Sequence, residues 1–212
     1  MRALLEEKLQ VHVVAPDLPV NSVIRQQLED LGASVHEISL KRTGINPLTD
    51  LRTMYNLWHL IRQIKPDFLL SYTIKPVIYG NIAAWLAGVP KRFALITGLG
   101  YAFTGETEKR SWLKRIVQIL YRIALGKVHK VFFQNQDDAS LFYSLRIIKS
   151  SDQKTFIVNG SGVDVSSFTV VPLPQINQFL LIARLLGDKG VKIGRAHVRT
   201  PVTSQSRMPS SA

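Results

Sequence analysis

Short apolar runs alternate with amphipathic stretches along most of this 212-residue chain. Gln10–Ala15, Ala33–Ser39, Phe68–Tyr72, Phe93–Ile96, Val131–Phe133 and Thr155–Val158 are rich in β-branched and aromatic residues and too short for helices, so each predicts a strand. Between them, apolar residues recur three or four apart. That spacing predicts helices over Ser22–Leu31, Pro47–Lys65, Val77–Leu86, Ser111–Leu125 and Asp137–Leu145. Gly32 and Pro66 stand where the first two should stop. On the long Pro47–Lys65 helix, Leu48, Leu51, Tyr55, Trp58, Ile61 and Ile64 mark the expected buried face. Strands joined by helices of this length form βαβ units. The fold class expected is α/β, a Rossmann-like parallel sheet with helices on both faces.

The pattern breaks at both ends. Ala3–Lys8 reads as a helix with no strand ahead of it, whereas a doubly wound domain opens on the strand at the centre of its sheet. Residues 1–165 are therefore expected to form a Rossmann-like domain lacking its first strand. Residues 166–177 read as a linker, and 178–191 as the start of a second domain, with a strand at Phe179–Ala183 and a polar turn at Arg184–Gly190. From Lys192 onward there is no acid and no period of 2 or 3.6. Residues 192–212 are expected to be a non-native, disordered tail that packs against nothing, and they resemble the translated sequence of a short-read sequencing adapter.

Composition narrows the chemistry. Apolar residues make up 46% of the chain and charged residues 20%, ordinary values for a globular protein. With no cysteine there is no disulfide framework, thiolate metal site or Cys nucleophile. Acids in the opening residues argue against a secretory leader, and the apolar stretch Val77–Val89 is too short to span a bilayer, so a cytoplasmic location is expected. Of the net charge of +12, four positive charges belong to the tail, and much of the rest gathers between Lys109 and Lys130. On the helix there, Trp112, Leu113, Ile116, Ile119, Leu120 and Ile123 are expected to pack mostly on the sheet, leaving basic residues beside Trp112 to touch anionic lipid headgroups. Trp112 and Tyr121 are too few aromatics for base stacking, so no nucleic-acid partner is expected. His12, His36, His59 and His129 lack metal-ligand spacing and read as structural, and Asp137 and Asp138 read as N-cap and first-turn acids of a helix.

Four passages each follow a predicted strand: Tyr72–Gly80, Ile96–Gly105, Phe133–Asp138 and Asn159–Asp164. In an open α/β sheet the carboxyl ends of the strands line the ligand crevice, and glycines there let backbone N–H groups approach phosphate or sugar oxygens. Lys75, Thr97, Gly98 and Gly100 are the candidates for one side of that crevice, with Lys75 suited to a ligand's phosphate. Gly160, Ser161 and Gly162 form another such glycine-rich turn, either a simple interdomain turn or a border of the crevice. The spacing Gly98-x-Gly100…Gly105 is not a dinucleotide fingerprint and lies late in the sheet, so no nicotinamide cofactor is expected.

Taken in order, these passages and Ala183–Gly190 resemble family-4 glycosyltransferases of the bacterial capsular and O-antigen type, over about residues 1–191. That resemblance implies a two-domain, retaining enzyme of the GT-B architecture, using no metal and no cofactor. It implies a nucleotide-sugar donor and a polyprenyl-diphosphate-linked acceptor. It assigns Arg184 and Lys189 to the donor diphosphate, where a guanidinium and an ammonium stabilise the leaving group's growing charge. Many relatives read His-Gly where this chain has Thr97-Gly98, so the imidazole's catalytic role does not carry over. The pair of acids expected in the second domain is absent, so no catalytic residue is assigned, and the chain as written is expected to be inactive. Two readings stand beside this one: a UDP-sugar 2-epimerase of the same fold, whose loops match less well, and a basic nucleic-acid-binding domain.

Overall fold

Each of the six predicted strands forms, and each pairs in parallel. The computed structural model describes residues 2–40, 47–98, 111–149, 153–160, 162–163, 165–170 and 172. The chain divides into two compact units, Met1–Val163 and Asp164–Ala212. In the first, the strands are β1 (His12–Ala15), β2 (Ser34–Glu37), β3 (Phe68–Tyr72), β4 (Lys91–Ile96), β5 (Lys130–Phe133) and β6 (Thr155–Ile157). The helices are α1 (Arg2–Glu6), α2 (Val23–Asp30), α3 (Pro47–Ile64), α4 (Asn81–Leu86), α5 (Ser111–Gly126) and α6 (Gln136–Ser144). This is the α/β, Rossmann-like arrangement of parallel strands with helices on both faces. In the second unit the described residues contain one 3₁₀ turn, Val165–Ser167. The expected strand Phe179–Ala183 and the tail 192–212 lie outside the described residues.

The strands form two sheets rather than one, β1–β2 and β3–β4–β5–β6. A doubly wound order would set one strand between β1 and β3. Among the described residues none pairs there, and Phe68, Leu70 and Tyr72 of β3 remain exposed. The edge of β2 is treated differently. Arg25 Nη2 donates to Val35 O at 3.2 Å and Thr53 Oγ1 to Ser39 O at 2.8 Å, so side chains satisfy carbonyls that no neighbouring strand takes.

The main core lies on one face of the four-stranded sheet. Ala94, Ile96, Val131 and Phe133 point from β4 and β5 into Val77, Ile78, Val117, Tyr121, Leu125 and Phe142. Phe142 meets both Tyr121 and Phe133 edge-on, with ring centroids 5.2 Å apart in each case. A second cluster joins α3 to α4 through Leu57, Ile61, Ala83, Ala84 and Val89.

Three sequence expectations need correction. On α3, Leu48, Leu51 and Tyr55 are exposed, and the buried stripe is Asp50, Thr53, Leu57 and Ile61. Polar Asp50 and Thr53 face inward because each has hydrogen-bond partners there, which apolar periodicity does not register. On α5, Val117, Tyr121, Ala124 and Leu125 pack inward while Ile116, Ile119 and Ile123 stay exposed, a shift of the expected face by about one residue. The predicted Val77–Leu86 helix is an α-helix only from Asn81, because Pro76–Gly80 is wound as a π-helical turn. Asn81 Nδ2 takes Val77 O at 3.0 Å, and the Asn81 backbone N–H goes to Ile78 O. A side chain thus occupies the carbonyl an α-helix would give to the backbone.

Candidate functional site

Parallel pairing sets the carboxyl ends of β3, β4, β5 and β6 on one side of their sheet. The most constrained of these ends follows β3. Thr73 has φ 69°, a left-handed conformation that a β-branched residue adopts only where its surroundings enforce it. The π-helical turn comes next, a rare winding that recurs at functional sites. Lys75 and Tyr79, four residues apart, share a face of this segment and both reach Asp50 in the first turn of α3. Lys75 Nζ donates to Asp50 Oδ1 at 2.8 Å, and Tyr79 Oη donates to Asp50 Oδ2 at 3.0 Å. Side-chain exposure is 11% for Lys75 and 7% for Asp50, so this is an ion pair withdrawn from solvent. Both carboxylate oxygens are occupied, whereas the described residues account for one of the ammonium's three N–H donors. Beneath the pair, Asn81 Nδ2 donates to Ser71 Oγ at 2.6 Å, and Asn81 is fully buried.

The neighbouring strand ends carry the other candidates. Thr97 is exposed just after β4, and Gly98 follows at φ 134°. A Cβ on Gly98 would meet nothing within 4 Å, so backbone conformation, not crowding, requires glycine there. Gly160 and Gly162, after β6, have φ 76° and 75°. The strand order puts the Lys75 and Thr97 ends side by side, with Gly160 two strands beyond Thr97, about 10 Å at the usual spacing. Between them the cap of α6 is Asn135 and neither acid: its Oδ1 accepts from Asp138 N at 2.7 Å, while Asp137 and Asp138 fall in the first helical turn. Gly100, Ser161, Arg184 and Lys189 lie outside the described residues.

Asp50 escapes sequence reading, and Tyr79, although inside the Tyr72–Gly80 passage, is not singled out by it. Asp50 looks like any acid in a helix's first turn, and nothing local announces a lysine 25 residues further on. The histidines take structural contacts: His12 Nδ1 lies 3.0 Å from His36 Nε2, and His129 Nδ1 accepts from Arg92 N at 3.2 Å. Burial, the His12 ring and the Arg25 guanidinium hold His36 below the ordinary imidazole range. A cavity of about 590 Å³ opens between β2 and α3, lined by residues including His36, Tyr55, Asn56 and His59. Among the described residues its lining has no lysine or arginine. Among the described residues no three His, Cys, Asp or Glu side chains group as metal ligands, and no helix is long and apolar enough to cross a membrane.

Two relatives of this chain are named as glycosyltransferases. An N,N'-diacetylbacillosaminyl-diphospho-undecaprenol alpha-1,3-N-acetylgalactosaminyltransferase of Campylobacter jejuni is 26% identical over 206 residues, covering 91% of this chain and 53% of that protein. A UDP-Gal:alpha-D-GlcNAc-diphosphoundecaprenol alpha-1,3-galactosyltransferase of Escherichia coli is 28% identical over 146 residues, covering 69% of this chain and 35% of that protein. The chain thus spans about half, or less, of these relatives' length. MurG of Acinetobacter baumannii superposes with a TM-score of 0.48 at 14% identity, over 79% of this chain and 41% of that one. The family described as "Glycosyl transferase 4-like" matches residues 1–135, well over half of the sequence. The chain belongs to the glycosyl transferase 4-like family.

Proposed function

We propose that this chain forms the acceptor-side domain of a glycosyltransferase. The enzyme moves a hexosyl or N-acetylhexosaminyl group from a nucleotide-sugar to a polyprenyl-diphosphate-linked saccharide, with retention of anomeric configuration and without a metal. The observation that carries the reading is the Lys75 ammonium, held almost out of solvent at the carboxyl end of β3, beside the Thr97–Gly98 end of β4. Lys75, Thr97, Gly98 and Gly100 line the acceptor side, and Gly160, Ser161 and Gly162 border the donor. Arg184 and Lys189 receive the donor diphosphate, whose charge grows as the glycosidic bond breaks. The two relatives are named for acceptors that are sugars on diphospho-undecaprenol, which supports this choice of acceptor.

A lipid-linked acceptor requires access to a membrane surface, and α5 supplies a suitable face. Ile116, Ile119 and Ile123 are 39%, 52% and 47% exposed along one stripe, with exposed Arg115 and Arg122 beside them. Such a face seats its apolar side among headgroups and its cations on anionic lipid, at the cytoplasmic surface of the membrane.

The reading is tested by initial rates of sugar transfer from the gene product that carries this sequence. Lys75→Ala should raise the acceptor KM about tenfold and leave the nucleotide-sugar KM unchanged. A change confined to the nucleotide-sugar KM, or to neither, refutes an acceptor site at Lys75.

A further inference from the structure

Resting on that reading, we infer that Lys75 grips an uncharged oxygen of the acceptor's sugar, not the acceptor's diphosphate, because Asp50 takes away about half of the attraction a phosphate would feel. The ammonium carries its own counter-ion, with Asp50 Oδ1 2.8 Å from Nζ in a pair almost closed to solvent. A phosphate oxygen in contact with Nζ would lie roughly twice as far from the carboxylate as from the ammonium. Coulomb energy falls as the inverse of distance, so repulsion from Asp50 removes about half of the attraction. Low solvent exposure weakens the screening that would otherwise soften that repulsion.

The carboxylate does not turn aside. Tyr79 Oη donates to Asp50 Oδ2 at 3.0 Å, so both oxygens are engaged and the carboxylate is fixed against the ammonium. What the pair presents outward is N–H, not net charge: among the described residues one of three ammonium donors is used. A hydroxyl, ring or amide oxygen of a sugar accepts such a donor and brings no charge for Asp50 to repel. The remaining donors also have fixed directions, because the lysine is tethered at its tip. Fixed donors discriminate among hydroxyl positions, whereas a free ammonium would accept any anion nearby. Lys75 is therefore a specificity-determining contact for the acceptor saccharide, and Asp50 and Tyr79 are its positioning residues.

Two lipid probes separate the possibilities by calorimetric titration: farnesyl diphosphate, and farnesyl diphosphate carrying one α-linked N-acetylglucosamine. The wild-type chain should bind the sugar-bearing lipid more tightly, and Lys75→Ala should abolish that preference while leaving farnesyl diphosphate affinity within twofold. Asp50→Asn should tighten farnesyl diphosphate severalfold by removing the opposing charge, with UDP affinity as the control that stays unchanged. Should either single variant fail to fold, the paired replacement Asp50→Asn with Lys75→Met strands no charge and makes the same comparison: the preference for the sugar-bearing lipid should vanish while farnesyl diphosphate affinity holds within twofold. Equal weakening of both lipids by Lys75→Ala would overturn the inference and leave the acceptor-site reading standing, since Lys75 would then hold the diphosphate. No effect of Lys75→Ala on either lipid would overturn both.

Discussion

Asp50 and Lys75 stand 25 residues apart in sequence and 2.8 Å apart in space, tying the first turn of α3 to the loop that leaves β3. With both side chains almost buried, removing one partner leaves the other's charge stranded. Asp50→Ala is expected to destabilise the fold by about 3–5 kcal/mol, read as a lower urea midpoint. Adding Lys75→Met should recover most of that loss, since a buried pair replaced by apolar groups is often tolerated. A single-mutant loss below about 1 kcal/mol would mean that water reaches the pair freely.

Asn81 is fully buried, with its amide N–H groups shared between Ser71 Oγ and Val77 O, while its Oδ1 has no hydrogen-bond partner among the described residues. Asn81→Ala removes the side chain that occupies Val77 O, and it leaves Ser71 Oγ with Phe93 O at 3.4 Å. A loss of about 1–3 kcal/mol is expected from groups left poorly satisfied, measured by thermal or chemical denaturation. A more stable variant would indicate that the π-helical turn is imposed from elsewhere.

The alternation of apolar runs was enough to read the six strands and their parallel class, because short β-branched segments separated by helices admit few other folds. The stop at Gly32, which has φ 93°, is legible for the same local reason, whereas the cap of α6 is Asn135 and not one of the acids that follow it. What periodicity misread was the start of α3. There the core-facing residues are Asp50 and Thr53, and their partners come from β2's end and β3's loop. The outward isoleucines of α5 were misassigned because an apolar stripe announces burial without saying whether protein or lipid buries it. The place of Lys75 after a strand's carboxyl end is legible in the sequence, but its counter-ion is not.

Acid should weaken the fold through His36. Its imidazole sits below the ordinary value of 6.5, held there by burial, His12 and Arg25. The unfolded chain therefore takes up a proton near pH 6.5 while the folded chain resists it. The contribution is complete above that pH and declines as the pH falls below 6.5 toward the lower folded value. Melting temperature should drop across that window, and His36→Asn should flatten the slope. An identical slope in the variant would assign the acid sensitivity to other groups.

Membrane attachment should depend on the exposed stripe of α5. Ile119→Lys with Ile123→Lys removes two apolar side chains that are about half exposed, so folding stability should change little. Flotation with vesicles containing anionic phosphatidylglycerol should weaken about tenfold or more. Undiminished flotation would place the membrane contact on another face.

Sugar transfer itself tests the central claim most directly. The gene product carrying this sequence would be incubated with radiolabelled UDP-N-acetylhexosamine or UDP-hexose and with polyprenyl-diphosphate-linked saccharides extracted from bacterial membranes. Label should pass into the organic phase only when acceptor lipid is present, and mild acid should release it as a saccharide one residue longer than the acceptor's. Conversion of the labelled donor to an epimer with no lipid-linked product would contradict the account and favour the epimerase reading.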